Sequence, residues 1–184
     1  MSYNVSVEFD NYLQRYAWVK RGIRFLVDGT RYNRDEPRLL WDIGWFFGQK
    51  LGRSDEHAQF RREFRRDADF HDYLLPYVNM DNSLGPDLRP DNWLVGREWY
   101  LQAEGALSRG ASLRGKSPVL FFSSAPMSQL NFASALGDDG IFGDTYTRAW
   151  ENGHDQWIEY GNYPILTSFG FHIRLNDFEP LNEE

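Results

Sequence analysis

The chain has 184 residues, 17% of them aromatic, and its 20 basic and 27 acidic side chains give a formal charge of -7. The length suits one domain with a core built largely of rings, and the charge disfavours nucleic acid or anionic lipid as a partner. Cysteine is absent, which excludes disulfides, thiolate metal sites and a cysteine nucleophile. No apolar run is long enough for a membrane span and no signal-peptide pattern opens the sequence, so we expect a soluble chain.

Three helices are predicted in the N-terminal part, residues 1–75. The first covers about 4–28, because apolar side chains recur there in steps of three and four. The second covers about 37–51, with Asp35 as the N-cap and Pro37 in the first turn.

The third predicted helix begins at a Ser54 or Asp55 cap and runs to about residue 75. Its expected buried face is Ala58, Phe60, Phe64, Ala68 and His71. Residues 76–92 contain three prolines and many turn formers, and they predict a long loop.

Residues 93–160 form a second helical part. Its first helix is capped by Asp91 or Asn92 and closed by Gly110. The run "VLFF" is too short to classify by periodicity. Another helix runs from Pro126 to Leu136. The last begins near Asp144, and its residues expected to face inward are Tyr146, Ala149, Trp150, Gly153 and Trp157.

The extended tail, residues 161–184, contains the single predicted strand. Phe169, Phe171, Ile173 and Leu175 alternate there with polar neighbours, which places the strand at about 167–175. If this strand pairs with sequence outside the chain, the chain is an incomplete module with an exposed edge.

Gly44, Gly48 and Gly52 recur every four residues in a segment that otherwise predicts a helix. Glycine costs roughly 1 kcal/mol relative to alanine inside a helix, so the pattern requires a reason. Transmembrane helices use such lines for close approach, but Asp42, Gln49 and Lys50 interrupt this segment. We therefore expect the bulky face of a neighbouring helix to pack into a groove above Gly44 and Gly48.

The segment "LLWDIGWFFGQKLGRSDEHAQF" partly matches a tetratricopeptide (TPR) hairpin, with Leu40, Gly44 and Phe47 on one helix and Phe60 on the next. Glu56 stands where that repeat has a small residue, and no 34-residue period is visible. The predicted fold is therefore mainly α: an irregular α-α superhelix of TPR-like hairpins with long loops and a short C-terminal strand-like segment.

Residues 16–67, 116–136 and 159–177 resemble part of a family of long, uncharacterised bacterial proteins. Members are membrane-anchored chains with TPR-like helical parts, some named for an iron-responsive element. The resemblance implies that this chain is an internal portion of a larger protein, tethered to a membrane through sequence outside it. It supplies no catalytic residues, and the residues here give the iron-related name no support.

Two pairs, each of one histidine and one carboxylate, have a spacing that could bind a metal ion. Glu151 and His154 form an ExxH motif, but a carboxylate-bridged iron site needs two such motifs and two further glutamates. Asp67 and His71 lie four apart, where an ion pair or a cap is the commoner use. No nucleophile elbow, Walker loop or dinucleotide motif is present. An iron- or zinc-binding protein or a hydrolase is the alternative function, and we predict no cofactor.

Four arginines in "RREFRR" would suit phosphate, but acidic residues interleave with them. Pairing among these charges on a solvated helix is the favoured interpretation, and an anionic protein partner is favoured over nucleic acid. The leading hypothesis is a noncatalytic interaction or scaffold domain that binds a protein, a peptide or another part of a longer chain in an aromatic groove. The candidate groove residues, for which a core role is the favoured interpretation over a binding role, are Trp41, Trp45, Arg62, Arg65, Trp93 and Trp99.

Overall fold

The computed structural model describes residues 11–113, 115–167 and 169–177. The chain divides between Arg114 and Gly115 into two compact units, where the sequence predicted one domain. Both units are mainly helical in their described parts, which confirms the predicted helical class. Each unit is described by itself.

The first unit contains five α-helices among its described residues. They are α1 (Tyr12–Gly29), α2 (Pro37–Trp45), α3 (His57–Arg66), α4 (Ala68–Leu74) and α5 (Asn92–Ser108). A π-helical turn, Phe46–Leu51, continues α2. The helices predicted at 37–51 and after residue 92 are confirmed. The predicted beginning of the first helix, residues 4–10, lies outside the described residues.

The third predicted helix is wrong as a single element, because Asp67 ends α3 and begins α4. Its backbone leaves helical geometry, and its carboxylate accepts a hydrogen bond from the backbone N–H of Phe70 at 3.1 Å. After the break Phe70 and Leu74 are buried, and Ala68, expected inside, is exposed. Ala58, also expected inside, is exposed in the first turn of α3.

The caps of two helices test the sequence analysis further. Asp91 caps α5 by accepting from the N–H of Trp93 at 2.9 Å, and Gly110 follows that helix with a positive φ of 98°, both as predicted. The predicted cap of α2 is wrong: that helix begins after Glu36, and Asp35 instead accepts hydrogen bonds from Arg109.

The glycine line lies in the closest helix contact of the first unit, between α2 and α5. A Cβ added at Gly44 would lie 2.8 Å from the carbonyl oxygen of Gly96 and 2.8 Å from the ring of Tyr100. A Cβ at Gly96 would lie 3.1 Å from the carbonyl oxygen of Gly44. Real side-chain carbons do not fit at such distances, so the two backbones touch because both positions lack a side chain.

The π-helical turn extends this contact. A Cβ at Gly48 would lie 3.1 Å from the ring of Trp93, and one at Gly52 would lie 2.4 Å from it. Residues four apart rotate by about 40° around an α-helix, and the wider π turn offsets that rotation. Gly48 and Gly52 therefore both face Trp93. Gly52 has a φ of -94°, so space for the indole, not backbone freedom, requires glycine there.

The connection from α4 to α5 is tied to the unit by a buried charge cluster. A short 3₁₀ turn, Asp81–Ser83, lies within it. At its end Asp91 is buried, and its second carboxylate oxygen lies 3.7 Å from nitrogens of both Arg61 and Arg65. The predicted solvated pairing of these two arginines within their own helix is therefore wrong, because they lie against the buried carboxylate of α5's cap.

The second unit is a helical hairpin followed by a β-hairpin. Its described elements are α6 (Pro118–Phe122), α7 (Ser124–Asp138), α8 (Asp144–Asn162), β1 (Ile165–Leu166) and β2 (His172–Ile173). Gly153 lets α8 approach α7, since a Cβ there would lie 2.7 Å from the side chain of Leu130. The segment left unclassified by periodicity is the short helix α6.

One continuous strand at 167–175 is a wrong prediction. The chain instead forms two antiparallel two-residue strands, with Ile165 opposite Ile173 and Leu166 opposite His172. Gly170, at a φ of 85°, turns the chain between them. Of the four residues expected to alternate inward, Phe169 and Phe171 are exposed, and Ile173 and Leu175 are half-buried.

We expect Gly44→Ala to destabilise the first unit by about 2 kcal/mol, because its Cβ must push apart two helix backbones. Gly105→Ala is the matched control: its Cβ meets only the flexible end of Arg109, and removing a helix-interior glycine should stabilise by up to about 1 kcal/mol. Urea unfolding measures both. Equal effects of the two substitutions would show that α2 and α5 do not depend on this contact.

We expect Asp91→Asn to lower the free energy of unfolding by about 3 kcal/mol, because it removes the carboxylate charge that lies against the buried guanidinium of Arg61. Asparagine also caps helices well, so the loss reports the charge and not the cap. Asp87→Asn, on an exposed residue of the same connection, should change stability by less than about 0.5 kcal/mol. A neutral Asp91→Asn variant would contradict the role given to the cluster.

Candidate functional site

Three of the four tryptophans predicted to line a partner groove belong to the core. Trp41, Trp93 and Trp99 are 8%, 5% and 1% exposed. Trp93 itself fills the groove above Gly48 and Gly52. The glycine groove therefore receives a ring of the same unit. For these three residues the favoured core role is confirmed, and the candidate binding role is wrong.

The other three candidates lie apart from any such groove. Arg65 lies against the buried Asp91. Trp45 is half-buried, with the ring of Phe46 at 5.5 Å and the ammonium of Lys50 at 5.1 Å from its ring centre. Arg62 is exposed on α3. The six residues thus do not build the predicted site.

The residues of the metal alternative have other surroundings. Glu151 and His154 are exposed on α8, and His154 Nδ1 lies 3.4 Å from Asp155. The Asp67 carboxylate, besides capping α4, receives the ammonium of Lys20 at 2.7 Å and the hydroxyl of Tyr16 at 3.0 Å. Within the described ranges, no three histidines or carboxylates come together as metal ligands.

The pKa of the His71 side chain is lowered by its surroundings. Its ring packs edge-on against Phe64, with 5.0 Å between ring centres, and its Nε2 is buried without a hydrogen-bond partner in the described part of the chain. Burial lowers the pKa of His71 below its ordinary value of 6.5. The neutral imidazole is therefore the form that the fold accommodates.

An exposed row of rings runs along α8 and offers the alternative to the predicted groove. Phe142, Tyr146 and Trp150 contact in sequence, with ring centres 5.6 Å and 6.2 Å apart. Trp157 lies two helical turns beyond Trp150 and therefore on the same side of the helix. Trp150 and Trp157 are 39% and 37% exposed. We call these four residues the aromatic band.

Acidic side chains occupy the exposed side of α8 next to the side that carries the aromatic band, a quarter-turn or more around the helix from Trp150. The exposed charged residues of α8 are Asp144, Arg148, Glu151, Asp155 and Glu159. We call the four carboxylates among them the acidic flank. The surrounding sequence has the same sign: residues 115–184 carry three basic and ten acidic side chains, whereas residues 1–114 carry seventeen of each. The formal charge of -7 thus belongs to the second unit.

Sequence reasoning missed this surface because it placed Trp150 and Trp157 inside. The buried stripe of α8 consists of small residues and one tyrosine, Ala149, Gly153 and Tyr160, against which α7 packs. The two tryptophans lie beside that stripe, at the edge of the contact. The charge difference between the two halves was readable from the sequence and would have pointed to the second unit.

Comparisons with known proteins found no relative from which a function could be inferred. No protein-family model, curated protein or solved structure shows significant similarity to the chain. Among the residues with described structure, no helix has the length and apolar character to span a bilayer.

The lowered pKa of His71 predicts a pH dependence of stability. The unfolded chain binds a proton near pH 6.5 and the folded chain only at lower pH, so stability falls as the pH drops below about 6.5. Urea midpoints of the wild type and of His71→Gln, measured from pH 7.5 to pH 5, should show a shallower loss in the variant. Parallel curves would mean that the buried imidazole does not contribute.

Proposed function

We propose that the chain is a noncatalytic protein-interaction domain whose second unit binds a partner segment along the aromatic band. The observation that supports this function is the position of Trp150 and Trp157 on one side of α8, each more than a third exposed. Tryptophan and tyrosine are enriched among the residues that dominate binding energy at interfaces.

Contacts with neighbouring rings hold the side chains of the band in place before a partner binds. Tyr146 contacts both Phe142 and Trp150, and Trp157 contacts Tyr160 at 5.4 Å between ring centres. A partner that covers them therefore loses little side-chain entropy on the side of this protein, which favours affinity.

The charge of the acidic flank defines the partner's chemistry. Glu151 and Asp155 lie about 100–140° around the helix from Trp150, so a segment on the band passes within range of their charge on one side only. Acidic residues on that side of the segment would be repelled. The partner we propose is an amphipathic helix of another protein, with an apolar face for the rings and lysine or arginine on its borders.

The alternative of a metal protein or hydrolase has less support. Glu151 and His154 are exposed, and Asp67 is engaged by Lys20 and Tyr16. Membership of the membrane-anchored bacterial family stays a prediction, and so does the TPR-like superhelix. In the first unit α2 packs chiefly on α5, across the long connection, whereas TPR hairpins pair successive helices.

The test is the binding of a labelled synthetic helix with a leucine face and lysine flanks, measured by fluorescence anisotropy. Trp150→Ala and Trp157→Ala should each weaken binding by about 30-fold, since a central aromatic residue contributes about 2 kcal/mol. A twin peptide with glutamate in place of lysine should bind at least about tenfold more weakly.

A matched control comes from other exposed rings of the same unit. Phe169 and Phe171 stack on the β-hairpin with 6.2 Å between centres, and both are exposed. The double substitution Phe169→Ala, Phe171→Ala should leave binding unchanged. Loss of binding in that variant but not in the tryptophan variants would place the interface on the hairpin and refute the proposal. Equal binding of the two peptides would refute the basic partner.

A further inference from the structure

The first unit has a second surface feature, independent of the aromatic band: an open cleft of about 530 Å³. Its walls come from the turn after α1, the segment after α4, and α5. The residues that give it chemical character are Arg31, Arg34, Asp35, Tyr77, Trp99 and Arg109. We call it the arginine cleft. Its volume lies in the range of sites for small organic ligands.

The fold holds two of the three guanidinium groups in place. Arg31 Nε donates to the hydroxyl of Tyr77 at 2.9 Å. Arg109 donates from Nε and Nη2 to one oxygen of Asp35, at 3.1 Å and 2.5 Å. This pair joins the turn after α1 to the end of α5, at residues 74 positions apart in the sequence.

Arg34 supplies a further positive charge. It is exposed, and with the residues that the structure describes it makes no hydrogen bond or ion pair. Arg31 also lies 3.4 Å from Asp28, and Arg109 pairs with Asp35, so Arg34 is the positive charge in excess at the cleft. A guanidinium group in excess attracts anions.

Trp99 is a buried residue of the cleft wall. The residue is 1% exposed, and its indole Nε1 is covered by protein and has no hydrogen-bond partner in the described ranges. Because the ring lies in the wall, the signal of its N–H reports changes at the cleft.

We propose that the arginine cleft binds a small organic carboxylate with an apolar or aromatic body. Arg109 already takes a carboxylate, that of Asp35, and a ligand's carboxylate replaces it there while also pairing with Arg34. The rings of Tyr77 and Trp99, with Leu40 and Pro76, supply the apolar part of the wall. A carboxylate matches the geometry of a guanidinium group, because its two oxygen atoms accept two parallel N–H hydrogen bonds.

The experiment titrates the whole chain with hydrocinnamate, and with the neutral hydrocinnamamide and inorganic phosphate as comparison ligands. Calorimetry gives the affinity. The indole N–H signal of Trp99, identified by its loss in Trp99→Phe, reports the site by NMR. We expect hydrocinnamate to shift that signal and to bind at least about tenfold more tightly than the amide.

The substitutions separate this site from general attraction of anions. Arg34→Gln should weaken hydrocinnamate binding about tenfold, because it removes a charged donor. Asp35→Asn should strengthen it about fivefold, because it removes the competing carboxylate from a surface ion pair. Arg62→Gln, on an exposed arginine of α3 outside the cleft, should leave affinity unchanged.

Four results would overturn the proposal. Equal binding of acid and amide would show that charge is not recognised. A Trp99 signal that phosphate shifts at the same concentration as hydrocinnamate would reduce the cleft to a bare anion site. No shift at millimolar hydrocinnamate, or equal losses in Arg34→Gln and Arg62→Gln, would leave no site there at all.

Discussion

The direct contact of two helix backbones, at Gly44 on α2 and Gly96 on α5, determines the arrangement of the first unit. Each glycine leaves room for the carbonyl of the other, and this proximity brings Trp93 onto the π-helical turn. The connection between α4 and α5 must then cross the unit and end at a buried cap. A buried Asp91 needs positive partners, which is why Arg61 and Arg65 turn inward.

The spacing of the glycines predicted a close helix contact but not the helix that makes it. Three glycines spaced four apart lower the stability of a helix, so their presence indicates that the absence of side chains serves packing. Its partner helix offers one glycine at the contact, Gly96, some fifty residues further along. Neighbouring helices were the natural expectation, and the long connection hid the pairing of α2 with α5. Local signals such as the Asp91 cap were readable because cap chemistry needs only adjacent residues.

Tryptophan positions were the least predictable feature, and the error went in both directions. A ring is buried where a facing surface is stripped of side chains, as Trp93 is against Gly48 and Gly52. On α8 the small residues Ala149 and Gly153 face α7, so Trp150 and Trp157 remain at the border. Periodicity finds the side of a helix that is apolar, but it does not tell which part of that side the neighbouring helix covers.

The two candidate surfaces differ because the two units carry different charge. Residues 115–184 hold the whole formal charge of -7, and carboxylates occupy the exposed side of α8 next to its aromatic band. This charge is the reason we propose a basic partner there.

In residues 1–114 the charges balance, so the local sign depends on which side chains pair. Asp67 and Asp91 lie against Lys20, Arg61 and Arg65 inside the unit. At the cleft, Arg31 lies near Asp28 and Arg109 pairs with Asp35, which leaves Arg34 as the positive charge in excess. The anion site that we propose in this chain of negative net charge depends on that one guanidinium group.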